Sequence, residues 1–320
     1  MLLFEDIIRA EKIVSKHIVT TPVVHSQALS KAIGEHIYLK LENQQITGSF
    51  KIRGAINAIS NLNPAQKKAG VVALSTGNHG RGLAFAANLM KIRCVICMSK
   101  LVPNNKIEGI KALGAEVRLI GGNQDEAQLE ADRLSIEEGM TYVSPFDNID
   151  VIAGQGTLGL EIHQQIPKLN FAFVPLSGGG LICGVARALK SLNRNLKVIG
   201  VSMDRGAAMY ESQKAGKPIF VKEEESLADA LTGGIGLDNK YTFELTKRLV
   251  DEIVLVSEKE IADGIHYAYW HESQIVEGAG AVAIASLLNK KFKPNGPSVA
   301  LMCGRNIDME KHFSLISAKS

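Results

Sequence analysis

The chain has 320 residues, of which 46% are hydrophobic and 22% are charged, a composition that indicates a fully folded protein of one large α/β domain or two closely packed domains. Its formal net charge of +3 is spread without a basic cluster, which argues against nucleic acid or a membrane surface as a partner and favours a small-molecule ligand. With no secretory signal pattern, no apolar run of about 18 residues and four scattered cysteines, we expect a cytoplasmic protein with reduced thiols.

The recurrent local pattern is a short apolar segment followed by a helix. The first helix is predicted at residues 4–17, before Thr20-Thr21-Pro22, because proline cannot continue a helix. Seven later segments predict strands: Val71–Leu74, Cys94–Met98, 117–120, 171–174, 198–201, 253–256 and 299–302. Helices follow most of them, and this alternation predicts parallel sheet with helices on both faces.

These strand-helix units also suggest how the chain divides into domains. Three compact units follow one another between residues 70 and 147, and one of them holds a helix that ends before Gly114. We therefore predict a small inserted α/β domain over residues 70–147. Residues 1–69 and 148–320 would form one larger domain, with a cleft between the two.

Three motifs stand where a strand gives way to a helix, the place where α/β proteins bind ligands. In the first, Lys51 opens a helix predicted at 52–62, so that its amine can project into a cleft. The second, Ser75-Thr76-Gly77-Asn78-His79-Gly80, precedes a helix at 81–90 and suits an anion such as a carboxylate. The third, Ser177-Gly178-Gly179-Gly180-Leu181, precedes a helix at 182–192 and suits a phosphate. Either glycine loop taken alone is equally well explained as a tight turn.

A lysine, a carboxylate loop and a phosphate loop in this order resemble the fold-type II pyridoxal-phosphate enzymes, in particular the serine/threonine dehydratase and serine racemase family. The resemblance covers nearly the whole chain and rests on these motifs: Thr21-Pro22, Leu39-Lys40-Leu41-Glu42, Gly48-Ser49-Phe50-Lys51-Ile52-Arg53-Gly54-Ala55, Ser75-Thr76-Gly77-Asn78-His79, Ser177-Gly178-Gly179-Gly180-Leu181 and Cys303-Gly304-Arg305-Asn306. It implies a tryptophan-synthase-β-like α/β fold with two open, mostly parallel twisted sheets flanked by helices. It also implies pyridoxal 5'-phosphate as the cofactor.

The resemblance implies a role for each motif. Lys51 would hold the cofactor as a Schiff base and later carry the Cα proton, which requires a lysine of lowered pKa. Phe50 would pack beside the cofactor ring, Asn78 would bond its 3-hydroxyl group, and Gly236 would let the ring lie against bare backbone. The phosphate would be held by Gly178, Gly179, Gly180 and Leu181, and the substrate carboxylate by Ser75, Thr76, Gly77 and His79.

A few positions bear on the kind of reaction. Cys303 matches the place where this family puts a serine or cysteine against the pyridine nitrogen, and a neutral thiol there favours elimination over transamination. Thr76 stands where serine racemases have a catalytic serine, so it is a candidate catalytic residue, although its stiffer side chain puts racemisation in doubt. Ser202 and Ala208 replace the acidic residues of the metal-assisted branch, so we expect no metal.

The last motif departs from the family pattern at Arg305, where a second glycine is usual. An arginine there either caps the cleft and contacts an acidic or polar substrate, or points to solvent. Together with Gly77-Asn78-His79-Gly80-Arg81, it resembles dehydratases of hydroxyectoine breakdown.

Other functions find weaker support. Gly278-Ala279-Gly280-Ala281-Val282-Ala283 matches the G-x-G-x-x-A pattern of dinucleotide-binding dehydrogenases, but residues 260–274 before it predict a helix, where that motif needs a strand. His266 and His271 would lie about 140° apart around that helix, which is unsuited to a shared zinc ion. A non-catalytic protein that retains pyridoxal phosphate remains an alternative.

We therefore predict a pyridoxal-phosphate-dependent ammonia-lyase that acts as a homodimer. Lys51 would take the Cα proton, the β-hydroxyl would leave, and water would convert the product to a 2-keto acid and ammonia. L-Serine and L-threonine are the expected substrates. The alternatives are a bulkier or more polar β-hydroxy amino acid, including one derived from hydroxyectoine, and amino acid racemisation.

Overall fold

Two sheets organise the chain in the computed structural model, which describes residues 1–75, 77–102 and 104–317. The strands in those residues are β1 (Val23–His25), β2 (Ile37–Lys40), β3 (Val71–Leu74), β4 (Cys94–Met98), β5 (Glu116–Leu119), β6 (Thr141–Tyr142), β7 (Phe171–Pro175), β8 (Lys197–Met203), β9 (Glu252–Val256) and β10 (Ser298–Leu301). One sheet has the order β1-β2-β10-β7-β8-β9 and the other β5-β4-β3-β6. Each neighbouring pair is parallel except β1 with β2. The predicted architecture of two mostly parallel sheets is therefore confirmed.

Helices connect most of these strands: α1 (Phe4–Val14), α2 (Gln27–Ile33), α3 (Lys51–Ser60), α4 (Pro64–Ala69), α5 (Asn78–Leu89), α6 (Asn104–Lys111), α7 (Gln124–Glu137), α8 (Ile149–Gln165), α9 (Gly180–Leu192), α10 (Ala208–Ala215), α11 (Thr242–Leu249), α12 (Glu258–Glu272), α13 (Gly278–Leu288) and α14 (Met309–Ser317). Short 3-10 helices lie at Glu42–Gln44 and Asp229–Leu231. Several helices begin at a polar side chain that accepts a backbone N–H of the first turn, as Asn148 does for α8 and Ser257 for α12. No helix in the described ranges is long and apolar enough to cross a membrane.

Most predicted elements are present, with shifted ends. The strands β3 and β4 have the predicted bounds, whereas α1 ends at Val14 and not at residue 17. The helices after the lysine and asparagine motifs begin earlier than predicted, so that Lys51 and Asn78 are themselves the first helical residues. The short strands β1, β2 and β6 were not predicted. The four-stranded sheet lies within the segment 70–147, and the division into domains stays a prediction.

Helix α13 forms the centre of the large hydrophobic core. It is buried from Gly278 to Leu287 and packs against β7, β8, β9 and β10. A helix, α12, precedes it, which confirms that its glycines do not follow the strand a dinucleotide site requires. On Gly184 of α9 a Cβ would lie 2.3 Å from the carbonyl oxygen of Ile152 in α8. Small residues thus allow close packing between neighbouring helices in this core.

The topology brings the sequence motifs to one cleft. In parallel sheets the carboxyl ends of the strands lie at one edge, and ligands bind beyond that edge. The loop after β3 leads to Asn78, the loop after β7 leads to Gly178, and the loop after β10 carries Cys303. All three residues line the same cleft.

Candidate active site

Lys51 enters the cleft from the first turn of α3. Its segment is fixed by the last loop of the large sheet. The N–H of Phe50 donates to the carbonyl of Cys303 at 3.2 Å, and Ser49 forms an isolated antiparallel bridge with Gly304. The lysine therefore depends on contacts between residues about 250 positions apart in sequence.

The surroundings of Lys51 suit an amine that must lose its proton. Its Nζ donates to the carbonyl oxygen of Pro145 at 2.7 Å. Desolvation lowers the pKa of the amine to about 8, although the nearby Cys303 and Glu277 act in the opposite direction. The side chain keeps some exposure through the cleft, while the surrounding protein supplies the desolvation. Such a lysine can act as a nucleophile and afterwards as a base near neutral pH.

Asn78 is held in one orientation by hydrogen bonds on both sides of its amide. Its Nδ2 donates to Oε1 of Glu277 at 2.6 Å, and its Oδ1 accepts from Nδ2 of Asn306 at 2.5 Å. An amide nitrogen has two hydrogens, so one remains to be donated into the cleft. Gly82, four residues further along α5, allows α3 to approach, because a Cβ there would lie 3.0 Å from the carbonyl carbon of Lys51.

Glu277 is a buried acidic residue of the cleft that the sequence analysis did not single out. It is 3% exposed, and burial raises the pKa of its carboxyl to about 7. The negative charge of Asp229 acts in the same direction, while the hydrogen bond from Asn78 opposes it. The only sign of Glu277 in the sequence is its place directly before the apolar helix α13, since acidic residues are favoured near the positive terminus of a helix.

The loop Ser177-Gly178-Gly179-Gly180-Leu181 forms an anion cradle in the same cleft as Lys51. Gly178, Gly179, Gly180 and Leu181 line it, and Gly180 opens α9, whose first N–H groups have no partner within the helix. Phe146 packs directly on the loop: a Cβ on Gly178 would lie 2.3 Å from its ring, and one on Gly180 would lie 2.8 Å from its Cα. Gly179 has a φ of 91°, which a side chain would disfavour.

Cys303 lies in the cleft wall as a neutral thiol. Burial, together with the charge of Glu277, raises its pKa well above the ordinary value of 9.0. Its Sγ donates to the carbonyl of Ala279 at 3.3 Å. The thiol is therefore neither a nucleophile nor a charged partner at neutral pH.

Of the residues predicted to surround the substrate carboxylate, the described ones, Ser75, Gly77 and His79, are not among those that line the cleft. Oγ of Ser75 accepts from the N–H of Gly80 at 2.8 Å and, more weakly, from the N–H of Gly77 at 3.3 Å. The Nε2 of His79 donates to the carbonyl of Val143 at 2.8 Å, and burial lowers the pKa of this ring to about 3. The histidine is therefore neutral, with that nitrogen already paired. Thr76, the predicted second catalytic residue, lies outside the described residues.

Gly236 is not among the residues that line the cofactor cleft. It is exposed and has a φ of 79°, and this backbone conformation accounts for the glycine without a ring contact. Earlier residues of the same segment, Ala230, Leu231 and Thr232, line the cleft instead. A contact between Gly236 and the cofactor ring stays a prediction.

A buried network of charges supports the start of α3. The guanidinium of Arg53 donates to both carboxylate oxygens of Glu42 at 2.8 Å and to Oε2 of Glu161 at 2.8 Å. Lys40 donates to the carbonyl of Thr21 at 2.6 Å and also pairs with Glu161. Two cations and two anions are thus matched inside the protein, which is the condition under which buried charges are tolerated. The network explains why the motifs around Thr21, Lys40 and Glu42 accompany the lysine motif.

The fold and the cleft together define a class of enzyme. A lysine of lowered pKa and an anion cradle open into one cleft at the carboxyl edge of a parallel sheet, an arrangement suited to a phosphorylated cofactor with an aldehyde group. The family of pyridoxal-phosphate dependent enzymes matches residues 14–304, and the chain belongs to it.

Known proteins similar to this chain agree with that assignment. It is 51% identical over 317 residues to a protein of Sinorhizobium fredii provisionally named a threonine dehydratase, with 99% of this chain and 96% of the relative covered. It is 43% identical over 310 residues to the L-threonine ammonia-lyase of Thermotoga maritima, with 97% and 77% covered. Its structure matches that of maize serine racemase with a TM-score of 0.93 and 30% identity, over 98% of this chain and 96% of the other.

The described residues fit pyridoxal phosphate, the cofactor of this family. The aldehyde requires an amine, which Lys51 offers, and the phosphate requires backbone donors without side chains, which the glycine loop offers because Phe146 fills the space where Cβ atoms would stand. The free N–H of Asn78 suits the ring oxygen, and the neutral thiol of Cys303 suits an uncharged ring nitrogen.

Proposed function

We propose that the chain is a pyridoxal-phosphate-dependent ammonia-lyase that converts a β-hydroxy amino acid of the L-serine and L-threonine type to a 2-keto acid and ammonia. The observation that carries the proposal is the pairing of a lysine with a pKa of about 8 and a neutral thiol in one cleft. The names of the relatives support the same reaction, since they include an L-threonine ammonia-lyase.

When bound, the cofactor withdraws electrons from the Cα of the amino acid and so makes the Cα proton acidic. Lys51 then moves that proton with its Nζ, which has given up its bond to the carbonyl of Pro145. The glycine loop holds the phosphate end through backbone N–H groups, and Asn78 fixes the ring through its free amide hydrogen.

The chemistry balances without an external oxidant. The Cα–H and Cβ–O bonds break: the Cα proton passes to Nζ of Lys51, and the hydroxyl takes up one proton as it leaves, so that the step removes one water molecule overall. The released enamine becomes an imine, and one water molecule hydrolyses it to the 2-keto acid and ammonia. Cys303 favours this outcome, because an uncharged group at the ring nitrogen does not stabilise the carbanion that transamination would require.

The purified protein tests this proposal directly. Wild-type protein is expected to show a visible absorption band from the bound cofactor and to release keto acid from L-threonine or L-serine. The variant Lys51→Ala loses both, whereas Lys68→Ala, a control at an exposed lysine of α4, keeps both. A Lys51→Ala protein that retains the band would contradict the role of this lysine, and a wild-type protein that has the band but releases no keto acid would contradict the reaction.

We further propose that the enzyme is a cytoplasmic homodimer. Exposed apolar side chains of α12 and α14, Trp270, Met309 and Phe313, lie on neighbouring helices, since the indole of Trp270 donates to the carbonyl of Ile316 at 3.0 Å. Apolar clusters of this kind mark protein interfaces. Light scattering on the purified protein is expected to give twice the mass of one chain, and a monomer at micromolar concentration would contradict the proposal. Cell fractionation checks the location.

A further inference from the structure

A second cavity, of about 250 Å³, lies beside the cofactor cleft. Two arginines, Arg81 and Arg305, line it together with Asn306. Asn306 connects the two spaces, because its amide donates to Asn78, which lines the cofactor cleft. Arg81 stands three residues after Asn78 on α5, so the two side chains are neighbours on one helix.

Among the described residues, neither Arg81 nor Arg305 has an ion pair or a side-chain hydrogen bond. The other charged groups at this cavity are engaged: Lys106 pairs with Asp229 at 3.1 Å, and Oδ1 of Asp308 accepts two N–H groups at the start of α14. This cavity is partly open to solvent, where Arg305 is exposed, and its two guanidiniums have no ion pair among the described residues, so it suits an anion.

The guanidinium of Arg81 packs against Gly109 of α6. On Gly109 of α6 a Cβ would lie 2.2 Å from Nη2 of Arg81, so the guanidinium occupies the room that a side chain at 109 would take. Partial burial lowers the pKa of Arg81, while the charge of Glu277 acts in the opposite direction.

We propose that Arg81 and Arg305 recognise a carboxylate on the β-carbon of the substrate, so that acidic β-hydroxy amino acids of the 3-hydroxyaspartate type are preferred over L-serine and L-threonine. The inference rests on the proposed function, since it names the substrate class of the same site. Arginine binds a carboxylate through two parallel hydrogen bonds, whereas the methyl group of threonine gains nothing from it. The reaction is otherwise unchanged: 3-hydroxyaspartate loses its Cα proton and its hydroxyl, and hydrolysis of the imine gives oxaloacetate and ammonia.

The first experiment compares kcat/KM for the stereoisomers of 3-hydroxyaspartate with kcat/KM for L-threonine. Wild-type enzyme is expected to prefer one acidic isomer by at least about tenfold, the lower end of what hydrogen bonds to a charged group contribute. Arg305→Gly and Arg81→Gln are each expected to lower this preference by about tenfold to hundredfold. Arg248→Gln, a control at an exposed arginine of α11, leaves it unchanged. Gly109→Ala is expected to lower the preference as well, by displacing Arg81 without removing it.

The second experiment measures binding without turnover. Malonate, which carries two carboxylates, is expected to raise the unfolding temperature of the holoenzyme at lower concentration than acetate does. Arg305→Gly should remove most of this difference.

The outcomes separate the two proposals. Turnover of L-threonine with no preference for any acidic isomer, or with a preference that Arg81 and Arg305 variants do not alter, overturns the acidic-substrate inference alone. Variants that change only the response to added inorganic phosphate also overturn it, because the cavity would then bind a free anion. If no β-hydroxy amino acid gives keto acid although the cofactor band is present, the proposed function itself fails.

Discussion

Replacing Glu277 with glutamine is expected to stabilise the cofactor-free protein above neutral pH. A carboxyl that has a pKa of about 7 when folded and 4.5 when unfolded binds its proton more tightly in the folded state. The stability of the wild type therefore falls as the pH rises from about 4.5 to 7 and becomes level above that range. The difference between these pKa values corresponds to about 3.4 kcal/mol. Glutamine is uncharged at every pH, so the stability of Glu277→Gln does not fall over this pH range. Its carbonyl oxygen can still accept the N–H of Asn78.

Urea unfolding at 25 °C between pH 4 and pH 8.5 measures this effect. At pH 8 the variant should exceed the wild type by about 2–3 kcal/mol, and near pH 4 the two should be nearly equal. Glu310→Gln, a control at an exposed carboxylate of α14, should follow the wild type throughout. A gain in stability that does not depend on pH, or a variant that is less stable at pH 8, would refute the assignment of Glu277 as a carboxyl that is costly to ionise.

Three further predictions concern the lysine support, the thiol and metals. Arg53→Met leaves Glu42 buried without its paired cation and Glu161 with Lys40 alone, so the free energy of unfolding should fall by about 3–5 kcal/mol in urea titrations. A fall below about 1 kcal/mol would show that the network contributes little. Cys303→Ser keeps a short neutral group and should retain most keto acid release. Cys303→Asp favours a protonated ring nitrogen and should slow keto acid release. Steady-state rates and the absorbance of the substrate-bound cofactor measure both effects. EDTA should leave the rate unchanged, and a loss that magnesium restores would contradict this.

Much of the fold and the lysine site could be predicted from the sequence because the relevant signals are local. Apolar strands ending in glycine-rich turns are visible within a few residues, and so are the lysine at a helix start and the loop Ser177-Gly178-Gly179-Gly180-Leu181. The strand β1 was missed because it has only three residues and two of them are exposed. The antiparallel edge of the large sheet was missed with it.

The rest of the site depends on contacts that no local pattern records. Glu277 bonds to Asn78, about 200 residues away in sequence. Phe146 packs where side chains on Gly178 and Gly180 would stand, some 30 residues later in the chain. Gly236 shows another limit, since its positive φ accounts for the glycine and the sequence alone does not distinguish that requirement from contact with a ligand. Arg305 was recognised as unusual, but only the structure places Arg81 beside the same cavity.

The position of β10 has a consequence for how the protein is made. This strand is the last in sequence, yet it lies between β2 and β7 and joins the amino-terminal part of the large sheet to the remainder. A ribosome must therefore synthesise about 300 residues before the two parts can pair, whereas the four-stranded sheet is complete once residue 142 has emerged. The nascent chain carries Lys51 long before the loop that positions it exists. Folding of the cofactor site is consequently a late event, and the exposed edges of β2 and β7 are where aggregation of incomplete chains would begin.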